Sequence, residues 1–345
     1  MSREPGAFAG RERTIILPAH SQPFAADRFP FLNALLDEAG IKLVDIGGRG
    51  SALRSLLCLA PFSGYYVSEP DREEAERLRQ NLALSAPWRT LTVFTEAIAS
   101  RRGEATLYVT AEPGMSSLLE PDERITRRFY LGDKFTVEAT IKVPTVPLDD
   151  AAARYGFGDA CFLKLDTQGT ELEILQSGPR LVRESVLGVH VECLFHPFYK
   201  GQALFGDVDA YLRERGFVLV SLSRTNLRRA SYRETIYSRR VTAWAHCLYV
   251  REPETLTTTR GACLRHHASR LLGLLLAFEQ YDLAGELAAL FSHAAIVDKQ
   301  DAARLADEMR RKCRESTRHI TRRAQADGLG QAVLAPSFRD RNRLE

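Results

Sequence analysis

The sequence predicts an α/β chain in which a mostly parallel sheet is covered by helices on both faces and followed by a helical extension. Three observations predict it. Between Ile41 and Val250, short apolar runs alternate with segments of helical spacing, the pattern of strand–helix–strand units. The first of these runs ends in Gly47-Gly48-Arg49-Gly50, a strand-to-helix turn in which glycine lets backbone come close to a neighbour. After Pro253 the strand signal stops, and residues 258–325 show the spacing of two or three helices with Leu271, Leu272, Leu275 and Leu276 on one face.

Taken in order, residues 1–26 form a mixed leading segment with Pro5, Pro18 and Pro23. Asp27–Ala39 is a helix stopped by Gly40. Ile41–Ile46 is an apolar strand and Leu53–Ala60 a helix. A second strand spans Gly64–Ser68, a helix Arg72–Leu84, and a third strand Leu91–Ile98. Residues 105–109 and 135–143 read as extra strands around a loop with Pro113-Gly114 and Ser116-Ser117. Ala160–Leu165 is a buried strand, followed by a short helix that reaches Gly178-Pro179. Val186–Val191 is another buried strand and Asp207–Arg215 a helix, with Phe217–Leu222 and Ala243–Val250 the last two strands. The organisation is therefore a segment and helix over 1–40, a core domain over 41–252, a helical extension over 253–327 and a polar, arginine-rich tail over 328–345, expected to be disordered.

Composition sets the class. With 345 residues, 45% apolar and 26% charged, the chain has material for a sizeable core. Its net charge of +3 implies no polyanion such as nucleic acid as a partner. The six cysteines are scattered without a C-x-x-C pair, which argues against zinc and against a disulfide framework. No apolar run is long enough to span a bilayer and the N-terminus lacks a signal core, so a cytoplasmic location is expected.

The chemistry-bearing segment opens with Asp45-Ile46-Gly47-Gly48-Arg49-Gly50, and the next strand ends in Glu69-Pro70. An acid at the tip of that strand can accept both hydroxyls of a ribose. A nicotinamide cofactor is disfavoured because Leu53 stands where the third small residue of its fingerprint belongs. Asp45, directly before the glycines, suits a ligand with a cationic amino-acid end and no pyrophosphate, which is S-adenosylmethionine.

Several segments together resemble the FkbM methyltransferase family: Asp45-x-Gly47, Glu69-Pro70-Asp71, Asn81-Leu82, Ala97-Ile98-Ala99-Ser100 with Gly103, Leu107-Tyr108-Val109 with Ser116-Ser117-Leu118, and Pro147-Leu148-Asp149-Asp150. The most specific is Lys164-Leu165-Asp166-Thr167-Gln168-Gly169-Thr170-Glu171, similar to the family's K-x-D-x-E-G-x-E signature with Gln168 in place of glutamate. Arg49-Gly50-Ser51 is a second departure, from the family's Asn-x-Gly. The resemblance covers residues 41 to 250. It implies a Rossmann-like class I methyltransferase fold with a seven-stranded, mostly parallel sheet whose last strand is antiparallel. It also implies S-adenosylmethionine as cofactor, bound by Asp45, Gly47, Gly48, Gly50, Glu69, Pro70, Ala97 and Asp166, and O-methylation of a sugar, glycan precursor or secondary metabolite.

Strand alternation places Phe162, Lys164 and Asp166 on one face. A lysine in an apolar strand needs a carboxylate, and Asp166, Glu171 and Glu192 are the candidates. Thr170-x-x-Glu173 reads as a capping box. Methyl transfer to oxygen requires a group that takes the acceptor's proton; Asp166, Glu192 and His196 are the candidates, with Lys164 neutralising one of the acids. Between the last two strands, Ser223 to Val241 carries six arginines (Arg224, Arg228, Arg229, Arg233, Arg239, Arg240) with Tyr232 and Tyr237, suited to an anionic acceptor or to plain solvation. The competing readings are a catalytically silent adenosyl-binding module whose helical extension binds a partner, and a nicotinamide oxidoreductase.

Overall fold

The computed structural model describes residues 30–232, 240–258 and 262–326. The leading segment 1–26, the tail 328–345, Arg233, Tyr237 and Arg239 lie outside the described residues. The elements are α1 (Pro30–Ala39), β1 (Ile41–Ile46), β2 (Ser63–Ser68), α2 (Arg72–Ser85), β3 (Thr90–Phe94), β4 (Ala97–Ile98), β5 (Gly103–Thr110), α3 (Glu123–Thr126), β6 (Val137–Val146) and α4 (Leu148–Tyr155). They continue with β7 (Phe162–Leu165), α5 (Glu171–Gln176), α6 (Pro179–Glu184), β8 (Gly188–Leu194), α7 (Phe205–Arg213), β9 (Phe217–Leu227) and β10 (Val241–Arg251), then α8 (Ala262–Ala277), α9 (Tyr281–His293) and α10 (Lys299–Ala326).

Seven strands form the main sheet in the order β3-β2-β1-β7-β8-β10-β9. The first five run parallel, and β10 is antiparallel to both β8 and β9. This is the α/β sheet that the sequence predicts, with its last strand reversed. Strand order changes direction between β1 and β7, the switch point at which such sheets open a ligand crevice beyond their C-terminal strand ends. β4, β5 and β6 form a separate three-stranded sheet.

Two apolar layers sandwich the main sheet. One packs Leu43, Phe162 and Leu248 under α1, α2, α8 and α9, and the other packs Val44, Leu163 and Val189 under α4 to α7. The alternation of Leu43/Val44 and Phe162/Leu163 between layers is the two-residue period of a strand buried on both faces.

Four expectations are corrected. The segment after the glycine turn is a 3-10 helix over Arg54–Phe62, because Pro61 withdraws an N–H from it and the Ser63 hydroxyl takes the Leu59 carbonyl. The strand expected over Leu91–Ile98 divides after Phe94, since Ala97 and Ile98 pair with β6 instead of the main sheet. The last two strands are longer than expected, so the chain between them spans 228–240 and Arg224 lies within β9. α4 and α6 were not expected; Asp149 at the start of α4 accepts the Arg180 and Leu181 N–H groups, capping α6 from outside.

Candidate active site

Three strand ends converge at Gly47. Its φ is +77°, and a Cβ there would stand 2.1 Å from the Asp166 carbonyl oxygen at the end of β7, while one on Gly48 would stand 2.2 Å from Val67 Cγ1. Both glycines are thus required by strand packing, ligand aside. Their N–H groups donate to the Ser68 carbonyl of β2.

Lys164 finds its carboxylate in Asp45, at 2.7 Å, and not in Asp166, Glu171 or Glu192 as the sequence suggests. The parallel register of β1 and β7 sets Asp45 directly opposite Lys164, a pairing invisible in one strand. The second Asp45 oxygen accepts the Tyr65 hydroxyl at 2.8 Å. Burial works hardest against the lysine's charge, but Asp45 and then Asp166 outweigh it and raise its pKa, so it stays protonated.

Beyond these ends lies a cleft with about 820 Å³ of empty space, open to solvent. Gly47, Glu69, Pro70, Ala97 and Asp166 line it, whereas Asp45, Gly48 and Gly50 do not. Glu69 is only 5% exposed. One of its oxygens accepts the Asp71 N–H at 3.0 Å, and its carboxylate makes no other hydrogen bond among the described residues. Burial, the largest influence, pushes its pKa up to about 7. Asp71 in turn caps α2 through the Glu73 and Glu74 N–H groups and meets Arg49. Ile98, Leu107 and Leu118 supply apolar walls. The segment Pro113–Leu118 roofs the cleft and is tied to its floor: the Ser117 hydroxyl donates to the Gln168 carbonyl at 2.8 Å and the Tyr199 hydroxyl to that of Met115 at 2.8 Å.

Gln168 organises the acids. At a φ of +58° it turns its amide inward, where the NH2 donates to both Asp166 and Glu192 and the oxygen shares the one Tyr199 hydroxyl proton with the Met115 carbonyl. Glu192 is nearly fully buried, and burial, with Asp166 and Glu171, raises its pKa well above the carboxylate range. The capping box is not formed. Thr170 makes no side-chain cap, Glu173 accepts the Ser100 N–H, and Glu171 receives the Thr167 and Gly169 N–H groups instead. The loop after β7 folds back over Glu171, leaving α5 no room for a reciprocal cap.

His196 stands apart from the cleft, against Phe129 at 5.2 Å between ring centroids. Arg229 lies over that same Phe129 ring and Arg228 over Tyr130; neither lines the cleft. Sequence reasoning missed Tyr199 and His246. His246 is paired in register with Glu192, its Nε2 3.9 Å from the carboxylate, and its ring stacks on His190 at 5.6 Å. His190 and Glu192, two residues apart on β8, share a face by strand alternation; the antiparallel partner that adds His246 is not visible in the sequence. Among the described residues no cluster of His, Cys, Asp or Glu could hold a metal ion, and no helix is long and apolar enough to cross a membrane.

Residues 59–219 match the methyltransferase FkbM domain. The 2-O-methyltransferase NoeI of Sinorhizobium fredii (strain NBRC 101917 / NGR234) is 25% identical over 177 residues, which are 49% of this chain and 70% of that protein. Among solved structures, methyltransferase FkbM from Methylobacillus flagellatus KT aligns with a TM-score of 0.33 at 16% identity, over 61% of this chain and 44% of that one. Magnesium protoporphyrin IX methyltransferase (ChlM) from Synechocystis PCC 6803, with bound SAM, aligns with a TM-score of 0.31 at 11% identity, over 70% of this chain and 86% of that one.

Proposed function

Carrying a methyltransferase FkbM domain, the chain is an S-adenosylmethionine-dependent methyltransferase, and from that premise we propose that it methylates a hydroxyl oxygen of a sugar, glycan precursor or secondary metabolite. The observation that carries this reading is the joint placement of Glu69 and Asp166 in one cleft at the switch point of the sheet. The buried Glu69 carboxylate, with an oxygen uncommitted, fits the two hydroxyls of the cofactor's ribose. Pro70, Ala97, Ile98, Leu107 and Leu118 would enclose the base. Gly47 and Gly48 let the strand ends close up, and Asp45 acts from beneath by holding Lys164. The cofactor supplies a methyl group already activated on a sulfonium, so the protein's remaining tasks are to orient the acceptor and receive its proton.

Asp166 is the proton acceptor that best fits. It borders the cleft, Gln168 fixes one of its oxygens, and Lys164 lies on the same strand face. Glu192, whose pKa burial raises, accepts from the Gln168 amide and does not line the cleft, which leaves it the poorer candidate. His196, packed on Phe129 away from the cleft, is set aside. The name of the relative NoeI, a 2-O-methyltransferase, supports oxygen as the receiving atom.

Radiolabelled S-adenosylmethionine offered with a panel of sugars, nucleotide sugars and glycans tests the reading. Transfer to at least one hydroxyl compound is expected. Asp166→Asn should then lower kcat by about 10²–10⁴-fold while S-adenosylhomocysteine, measured by calorimetry, still binds. Undiminished turnover in Asp166→Asn would sink the assignment of the base, and transfer confined to amines would overturn O-methylation.

A further inference from the structure

On the face of the sheet that packs under α1 and α8, the polar residues continue past the cleft as a strip. Strand register aligns it: Lys164 pairs with His190 and Glu192 with His246, and His246 in turn faces Ser223, one step along from the Leu248–Ser221 pair. Paired residues in a ladder project to the same side. The strip therefore begins at Glu192, which Gln168 links to Asp166 in the cleft. It runs outward over His190 and His246 to the two serines on β9.

Its two histidine rings keep hydrogen-bonding capacity to spare. The His190 ring has no hydrogen bond to the described protein although it is largely buried, and burial, with the neighbouring His246 and Lys164, holds its pKa down at about 4. His246 has only the 3.9 Å contact to Glu192, too long for a hydrogen bond. Trp88 Nε1 is the one fully buried side-chain polar atom without a partner among the described residues, so the unpaired nitrogens of His190 and His246 are not sealed in but open to an incoming group. Where the strip ends, a trough with about 1110 Å³ of empty space opens over Ser221 and Leu248, bounded opposite by Arg54 and by the α8–α9 turn at Glu279.

The strip carries no lysine or arginine free to hold an anion. Lys164 is tied to Asp45, burial holds the His190 pKa down at about 4, and the Glu192 carboxyl stands at the inner end. What remains is a row of imidazole and hydroxyl groups beside acids, suited to a ligand of many hydroxyls and no negative charge.

We propose that the acceptor is a neutral sugar ring that docks along His190, His246, Ser221 and Ser223, presents one hydroxyl to Asp166, and extends its aglycone or next residue into the trough. This rests on the methyl-transfer reading and narrows its substrate class, replacing the anionic acceptor that the arginine-rich connection suggests.

The test is NMR of the full chain with carbon-labelled histidine, saturated with S-adenosylhomocysteine and titrated with neutral methyl glycosides, glucuronate and uridine diphosphate. The His190 and His246 ring signals should move together with at least one neutral glycoside while those of His267 and His293 stay. The double variant His246→Gln with Ser223→Ala should weaken that glycoside by about tenfold or more with S-adenosylhomocysteine affinity retained, which also certifies its fold. The proposal is overturned if no neutral glycoside moves the two rings, if only the anionic probes do, or if the double variant binds as the parent does. Failure to bind S-adenosylhomocysteine at all would instead overturn the placement of the cofactor in the cleft.

Discussion

Glu69 binds its proton far more tightly in the folded chain than a free carboxyl does, with its pKa pushed to about 7 by burial, and on the proposed reading, in which it holds the cofactor's ribose, this makes stability and cofactor binding depend on pH in opposite directions. In the free protein, between the ordinary carboxylate range and pH 7, the folded state holds a proton that the unfolded state has lost. The contribution of Glu69 to stability therefore falls as pH rises through that window and is level above it. Ribose hydroxyls donate hydrogen bonds and so favour the carboxylate; binding strengthens over the same window. S-adenosylhomocysteine should bind about tenfold more weakly at pH 6 than at pH 8. Calorimetry at the two pH values checks this, and Glu69→Gln should flatten the dependence; equal affinities in the parent would remove Glu69 from the ribose. Gln168 teaches a different lesson at the same scale. In the sequence it is a departure from a family signature, yet its amide satisfies two carboxylates and a tyrosine at once, which a glutamate there could do only by carrying protons.

Among the elements, the loop after β1 separates two uses of glycine that look identical in sequence. A Cβ on Gly47 would collide with the Asp166 carbonyl, whereas one on Gly50, at φ +100°, meets nothing within 4 Å. Gly50→Ala should cost about 1–2 kcal/mol of backbone strain, and Gly47→Ala clearly more, because either β1 or β7 must shift. Urea denaturation of the two variants measures the difference; equal losses would mean that the strand ends yield freely. It follows that Gly47→Val would damage the fold along with the site. The buried strands β1, β7 and β8 were legible, as were the glycine turn, the acid just after β2 and the helical character of the C-terminal extension, since each rests on local pattern. The partner of Lys164 and the position of His246 were not, because both depend on which strand lies alongside. The false capping box at Thr170 had the right letters, but Glu171 had already taken the free N–H groups of that loop. α4 and α6, at eight and six residues, are too short for periodicity to declare.

For the whole molecule, the helical extension is part of the core. Leu271, Leu272, Leu274, Leu275 and Leu276 of α8 are all buried in the layer that holds Leu36, Ile41 and Leu59. Arg270, 8% exposed, donates to the carbonyls of Ala39, Gly40 and Asp159 and pairs with the Asp159 carboxylate. Arg270→Ala should destabilise the protein by about 2–4 kcal/mol, the cost of leaving several buried acceptors without a donor. A chain stopped at Glu252 should show no cooperative thermal transition by circular dichroism; a sharp transition in that truncation would make the extension dispensable. The Arg270–Ala39 bond joins residues 231 positions apart, and that separation orders events during synthesis. β1 and α1 leave the ribosome early, but their apolar face has no cover until α8 follows, and long-range closures of this kind are slow and leave greasy surface open meanwhile. A nascent chain stalled between β10 and α8 is therefore the form of this protein most in need of a chaperone.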